Sequence, residues 1–123
     1  MTKIDDILEE VRTEIGTDFV STDVVGMDGL SIGGLKADPN FDASAASARF
    51  AMVMRLADKV AGKINMGEVY DGLVTTENAY IITRFLGDGS YYWGLAVAGD
   101  AVLGMVRMVM DEYADQLWDA IPH

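Results

Sequence analysis

The sequence contains no cysteine, so disulfides, thiolate nucleophiles and cysteine–zinc sites are excluded. Its only histidine, His123, stands at the C-terminal end, where a side chain is poorly placed for precise chemistry. Ser-His-Asp catalysis and histidine metal sites thereby lose their key residue. The longest apolar stretches carry charges at helical spacing, so no membrane insertion is expected. The start, Met1-Thr2-Lys3-Ile4-Asp5-Asp6, lacks the basic segment and apolar run of a secretory signal. A chain without disulfides fits a reducing compartment, and a cytoplasmic location is expected. Basic residues are also scarce: nine Lys and Arg stand against twenty Asp and Glu, for a net charge of −11. A chain this acidic repels phosphate backbones, so nucleic acid is not an expected partner.

What remains is an ordinary globular balance. Half of the 123 residues are hydrophobic, enough for one domain over residues 1–123 with a core of its own. The charge is uneven. Residues 1–28 carry Asp5, Asp6, Glu9, Glu10, Glu14, Asp18, Asp23 and Asp28 against Lys3 and Arg12. Residues 49–63 carry Arg49, Arg55, Lys59 and Lys63 against Asp58. The basic element is either a solvated face that lightens self-repulsion or a docking face for an acidic partner.

The periodicity of the chain predicts eight elements. Ile4, Ile7, Leu8, Val11 and Ile15 recur at helical spacing over residues 2–15, with Thr2 as cap and Gly16 as stop. Residues 19–27 read as a strand. The pair Asp28-Gly29 predicts a hairpin turn with positive φ at both residues, leading to a second strand through Leu30, Ile32 and Leu35. After a loop with Pro39, a long helix is predicted over 42–64, capped by Asp42 or Asn40. Its stripe is Ala46, Phe50, Val53, Met54, Ala57, Val60, Ala61 and Ile64, widened by Ala45, Met52 and Leu56. An arc this wide has two readings. The helix is wedged deeply into its own domain, or it packs on its sheet with one stripe and on another chain with the other. Residues 68–76, 79–86 and 91–98 read as three strands joined by short turns, an antiparallel meander. Gly99-Asp100 opens a last helix, with Asp100 as its cap and Pro122 at its end. The order α-β-β-α-β-β-β-α predicts an α+β fold around one antiparallel sheet.

No motif for chemistry emerges. No G-x-x-x-x-G-K-[ST] is present, and Gly33-Gly34 and Gly87-Asp88-Gly89 read as turn or strand-end residues. The acidic pairs Asp5-Asp6, Glu9-Glu10 and Asp111-Glu112 fall on helices, where adjacent side chains point about 100° apart and share no site. No nucleophile elbow and no Ca²⁺ loop are found. Arg84, between Thr83 and Phe85 in a predicted strand, reads as a solvent-face residue or a contact residue, with the first preferred. Met52, Met54, Met105, Met108 and Met110 fall on two helices, as core filling or as adaptable interface. No catalytic residue, cofactor or metal is expected.

The order and texture of the elements resemble the roadblock/dynein light chain family across nearly the whole length. The resemblance is carried by the short amphipathic first helix and the hairpin Val24-Val25-Gly26-Met27-Asp28-Gly29-Leu30-Ser31-Ile32. The alanine-rich helix of residues 43–61, the meander and the closing helix complete it. It implies a five-stranded sheet with helices on both faces. It also implies a homodimer, in which the long second helices pack together and the third strands join edge to edge. The dimer residues it implies are Ala45, Arg49, Met52, Leu56 and Lys59 on the helix and Val69, Tyr70, Gly72 and Val74 on the strand. Members often bind or regulate Ras-like small GTPases, which makes Arg49, Arg55 and Lys59 candidate partner-binding residues. A structural light-chain scaffold without nucleotide dependence and a small-molecule sensor are the alternatives.

Overall fold

The computed structural model describes residues 2–40 and 43–122, without the side chains of 43–48. The first helix, α1 (Lys3–Ile15), starts as the sequence predicts, with the Thr2 hydroxyl accepting the Asp5 N–H at 3.1 Å. A short 3₁₀ turn (Gly16–Asp18) leads to β1 (Phe19–Gly26) and β2 (Ser31–Lys36). The hairpin between them departs from the prediction. Gly29 has φ 85°, but Asp28 is not left-handed. Its carboxylate instead accepts the Leu30 N–H at 3.1 Å, which fixes a longer turn. Asp42 lies outside the described residues. Next come α2 (Ala43–Lys63), β3 (Asp71–Thr75), β4 (Ala79–Leu86), β5 (Tyr91–Ala98) and α3 (Leu103–Ala120).

The five strands form one antiparallel sheet in the order β2-β1-β5-β4-β3. Strand alternation sorts the side chains into two layers. Trp93, Leu95 and Val97 of β5 join Val24 and Ile82 beneath α1 and α3, and this is the main core. Tyr92, on the other face of β5, packs with Ala51 and Met54 of α2. Helices therefore cover both faces, as the sequence predicts. Thr22 ties the main core together. Its hydroxyl accepts the Trp93 indole N–H at 2.7 Å and donates to the Gly94 carbonyl at 2.8 Å. Thr22→Val keeps the shape but leaves the Trp93 indole N–H unpaired in the interior and takes one donor from the Gly94 carbonyl. The expected cost is about 2–3 kcal/mol, read as a lower midpoint in urea with unchanged slope. An unchanged midpoint would show that the relay contributes nothing.

Three predicted boundaries and one orientation are corrected. β3 begins at Asp71 and not at residue 68. The Val69 N–H points to the Asp58 carboxylate at 3.4 Å, so residues 68–70 peel away from the sheet. α3 begins at Leu103, because the Ala101 N–H closes a turn on the Ala98 carbonyl at 3.0 Å. Its cap position is Val102, without a side-chain bond, and Asp100 does not cap it. α2 ends at Lys63 rather than Ile64. Arg84 does not face solvent freely. It is half-buried and pairs with Asp111 of α3 at 2.7 Å.

Candidate partner-binding surface

The outward face of α2 is apolar. Among the described residues the helix buries Ala51 and Met54 and half-buries Phe50 and Ala61. Met52, Val53, Leu56, Val60 and, just past its end, Ile64 remain exposed, each by half or more. At about 100° per residue these five fall within one third of the helix circumference. Val53, Ala57, Val60 and Ile64, placed in the core stripe by the sequence, are thus exposed, and Ala51 takes part of their role. The sheet underneath explains the shift. Tyr92 and Phe85 reach α2 from below, and contact falls where the small Ala51 lets the helix approach.

This face continues onto an open sheet edge. β3 is the last strand of the sheet, and its outer backbone has no neighbour among the described residues. Tyr70 just before it is 82% exposed, and Leu73 is 37% exposed. Five large apolar side chains are thus exposed on one helical face, near an unpaired strand.

The residues implied by the resemblance fall as follows. Met52 and Leu56 lie in the apolar face, and Arg49 stands among them. Lys59 and Arg55 lie along one flank, exposed. Ala45 is in α2, but its side chain lies outside the described residues. Val69 is half-buried against Tyr92, Ala51 and Met54, and Tyr70 is free to reach outward. Val74 is half-buried. Gly72 faces its own chain: a Cβ there would lie 2.5 Å from the Met54 sulfur. Gly72 therefore offers an interface only its backbone. Arg49, Arg55, Lys59 and Lys63 enter no ion pair among the described residues.

Where residues 68–70 leave the sheet, a groove of about 600 Å³ opens between α2, the β4–β5 hairpin and the start of β3. Arg55, Asp58, Glu68, Val69, Phe85 and Tyr92 form its walls. Tyr92 is 2% exposed and its hydroxyl has no hydrogen-bond partner among the described residues. Burial holds that phenol above its ordinary pKa, with Arg55 pulling it down and Asp58 pushing it up. A second cavity, of about 410 Å³, lies between β3 and α3. Its walls are two ion pairs, Arg84–Asp111 and the two-pronged Arg107–Asp71, which fasten α3 to the edge of the sheet. The groove, the Tyr92 hydroxyl and these pairs are absent from the sequence reading, since each joins residues far apart in the chain. No group of three or more His, Asp or Glu among the described residues is arranged to hold a metal. No helix among them is long and apolar enough to cross a membrane.

The sequence matches no protein-family model and no curated protein. Solved structures do match. MglB of Myxococcus xanthus superposes with a TM-score of 0.85 at 16% identity, over 97% of this chain and 94% of that one. The gliding protein MglB of Thermus thermophilus does so at 0.83 and 15% identity, over 96% and 87%. A Roadblock/LC7 domain from Streptomyces avermitilis does so at 0.79 and 16% identity, over 92% of each chain. The chain has the roadblock/LC7 fold. In this fold the long helix α2 packs near the edge strand β3, and Met52, Val53, Leu56 and Val60 of the helix and Leu73 of the strand are uncovered.

Proposed function

We propose that the chain is a non-catalytic homodimeric regulator or adaptor of a Ras-like small GTPase, acting through protein–protein contacts as one domain. The observation that carries the reading is the uncovered apolar face of α2, continuous with the open β3 edge, on a roadblock/LC7 fold. An isologous contact lets each patch meet its own copy and extends the sheet across the dimer. One solved MglB is described with a tetrameric arrangement, which supports self-association on this fold. The basic flank of Arg55 and Lys59 on an otherwise acidic chain supports an acidic partner surface.

The test is binding to purified Ras-like GTPases from the same organism, loaded with GDP or with a non-hydrolysable GTP analogue. Binding that depends on the nucleotide is the expected result. Binding that ignores the nucleotide favours a structural scaffold, and no binding to any of them removes the GTPase reading. Arg55→Glu reverses one exposed charge without touching the core. It is expected to weaken GTPase binding about tenfold and to flatten its salt dependence. Unchanged affinity would count against a role for that flank.

A further inference from the structure

A second exposed apolar surface lies on the opposite side of the sheet from α2, on the outer face of α3. Val102 at its cap position, Met105 and Met108 are each exposed by more than half. Glu112, Asp115 and Asp119 continue the same row at spacings of four, three and four, and all are exposed. At about 100° per residue, the row from Met105 to Asp119 stays within about a quarter of the helix circumference. One straight stripe is therefore apolar over its first half and acidic over its second. The inward face of α3, with Val106, Met110, Tyr113 and Leu117, is buried in the main core and takes no part in it.

The acidic half is not neutralised from within. The Tyr113 hydroxyl donates to Glu14 of α1 at 3.2 Å, which sets Glu14 against Glu112. The charge of Glu14 holds the Glu112 carboxyl above its ordinary pKa, with desolvation, a hydrogen bond to Glu14 and the charge of Glu10 adding to the rise. The cations of the two helices stand elsewhere. Arg107 is bound to Asp71, Arg12 lies over the Phe19 ring, and Lys3 is at the far end of α1 from Glu14. Glu10, Glu14, Glu112, Asp115 and Asp119 enter no ion pair among the described residues. A positive charge brought to this row is favoured, and a chain of net charge −11 repels an acidic partner.

We propose that the outer stripe of α3 is the docking site for a basic amphipathic helix of a different protein. The apolar residues of that helix cover Val102, Met105 and Met108, where flexible methionine side chains adapt to the shape they meet. Its Lys or Arg residues, further along, lie over Glu112, Asp115 and Asp119, with Glu14 and Glu10 within reach on the α1 side. Spacings of three and four make the seam along which a second helix packs. From residue 102 to 119 the stripe is about 25 Å long, which matches a partner helix of about seventeen residues. A second copy of this chain is a poorer occupant, because it brings its own excess of acids. The sheet separates the stripe from α2, so the proposal does not depend on the homodimer reading.

Fluorescence anisotropy on the full chain reads the binding of a labelled synthetic helix of about eighteen residues. It carries leucine at the three–four positions of one half and lysine at those of the other. A matched peptide with glutamate in place of lysine is the comparison. The lysine peptide is expected to bind in the micromolar range, and the glutamate peptide at least about tenfold more weakly. Met105→Gln with Met108→Gln is expected to weaken the lysine peptide at least about tenfold. Glu112→Lys with Asp115→Lys is expected to do the same and to tighten the glutamate peptide. All four side chains are exposed, so the fold is expected to survive, with thermal unfolding as the control. No binding of the lysine peptide at about 100 µM, or wild-type affinity in either double variant, overturns the docking site. Equal affinity for the two peptides overturns the charge match. A solution mass beyond two chains that is lost in Glu112→Lys gives the stripe to another copy of this chain and overturns the foreign partner.

Discussion

Leu56→Arg is expected to turn the proposed dimer into a monomer with an intact fold. Leu56 is 63% exposed in the single chain, so the substitution removes nothing from either core. In the proposed dimer it lies at the middle of the α2 stripe, and two-fold symmetry counts the change twice. Losing the burial of one leucine costs about 1.5–3 kcal/mol, and here two are lost. Two guanidinium groups then face one another at the seam, with no carboxylate between them. A combined loss of about 3 kcal/mol or more weakens association by over about a hundredfold. The measurement is the dissociation constant from a dilution series, with thermal unfolding as the control for folding. A variant that dimerises like wild type would place the interface elsewhere.

Gly87→Ala is expected to be the most damaging of the small substitutions, although it adds a single methyl group. Gly87 has φ 55°, where an L-residue carries a backbone cost of about 1–2 kcal/mol. A Cβ at this position would also lie 2.2 Å from ring atoms of Trp118. That ring is held edge-on by Tyr91 at 6.4 Å between centroids, so it cannot swing away freely. Overpacking adds about 1–3 kcal/mol, and the sum is a large part of a stability of about 5–15 kcal/mol. The expected melting temperature falls by about 10 °C or more. Gly89, two residues on, is the internal comparison. It has φ 86°, but a Cβ there would meet nothing nearer than 3.8 Å, so Gly89→Ala carries the backbone cost alone. Equal effects at the two positions would show that the Trp118 contact is unimportant. These glycines lie in a turn, as the sequence predicts, with no lysine following to make a phosphate loop.

Elements governed by local patterning are legible in the sequence. β4 and β5 fall at the predicted residues, because alternating apolar side chains and short turns state both their period and their ends. α1 is marked by its cap, its stripe and the glycine that follows. The failures come where a distant group decides. Nothing near Val69 announces that its N–H is claimed by Asp58, eleven residues earlier, so the predicted β3 is too long. The two ion pairs of Arg84 and Arg107 span still longer separations. The arc of α2 shows that the helix is too apolar for one contact, but not which part meets the sheet. Val53 and Val60 look like core residues by composition, and only the approach of Tyr92 and Phe85 toward Ala51 turns them outward. The uncovered face is therefore foreseeable in width and not in position. The groove depends on the same peeling of residues 68–70 and has no local signature.

The solution mass of the wild-type chain, measured by light scattering over a range of concentrations, tests the central claim most directly. The expected value is twice the 13.3 kDa of one chain, persisting on dilution into the low micromolar range. A mass of 13.3 kDa throughout would contradict it and leave the apolar face of α2 to a different protein.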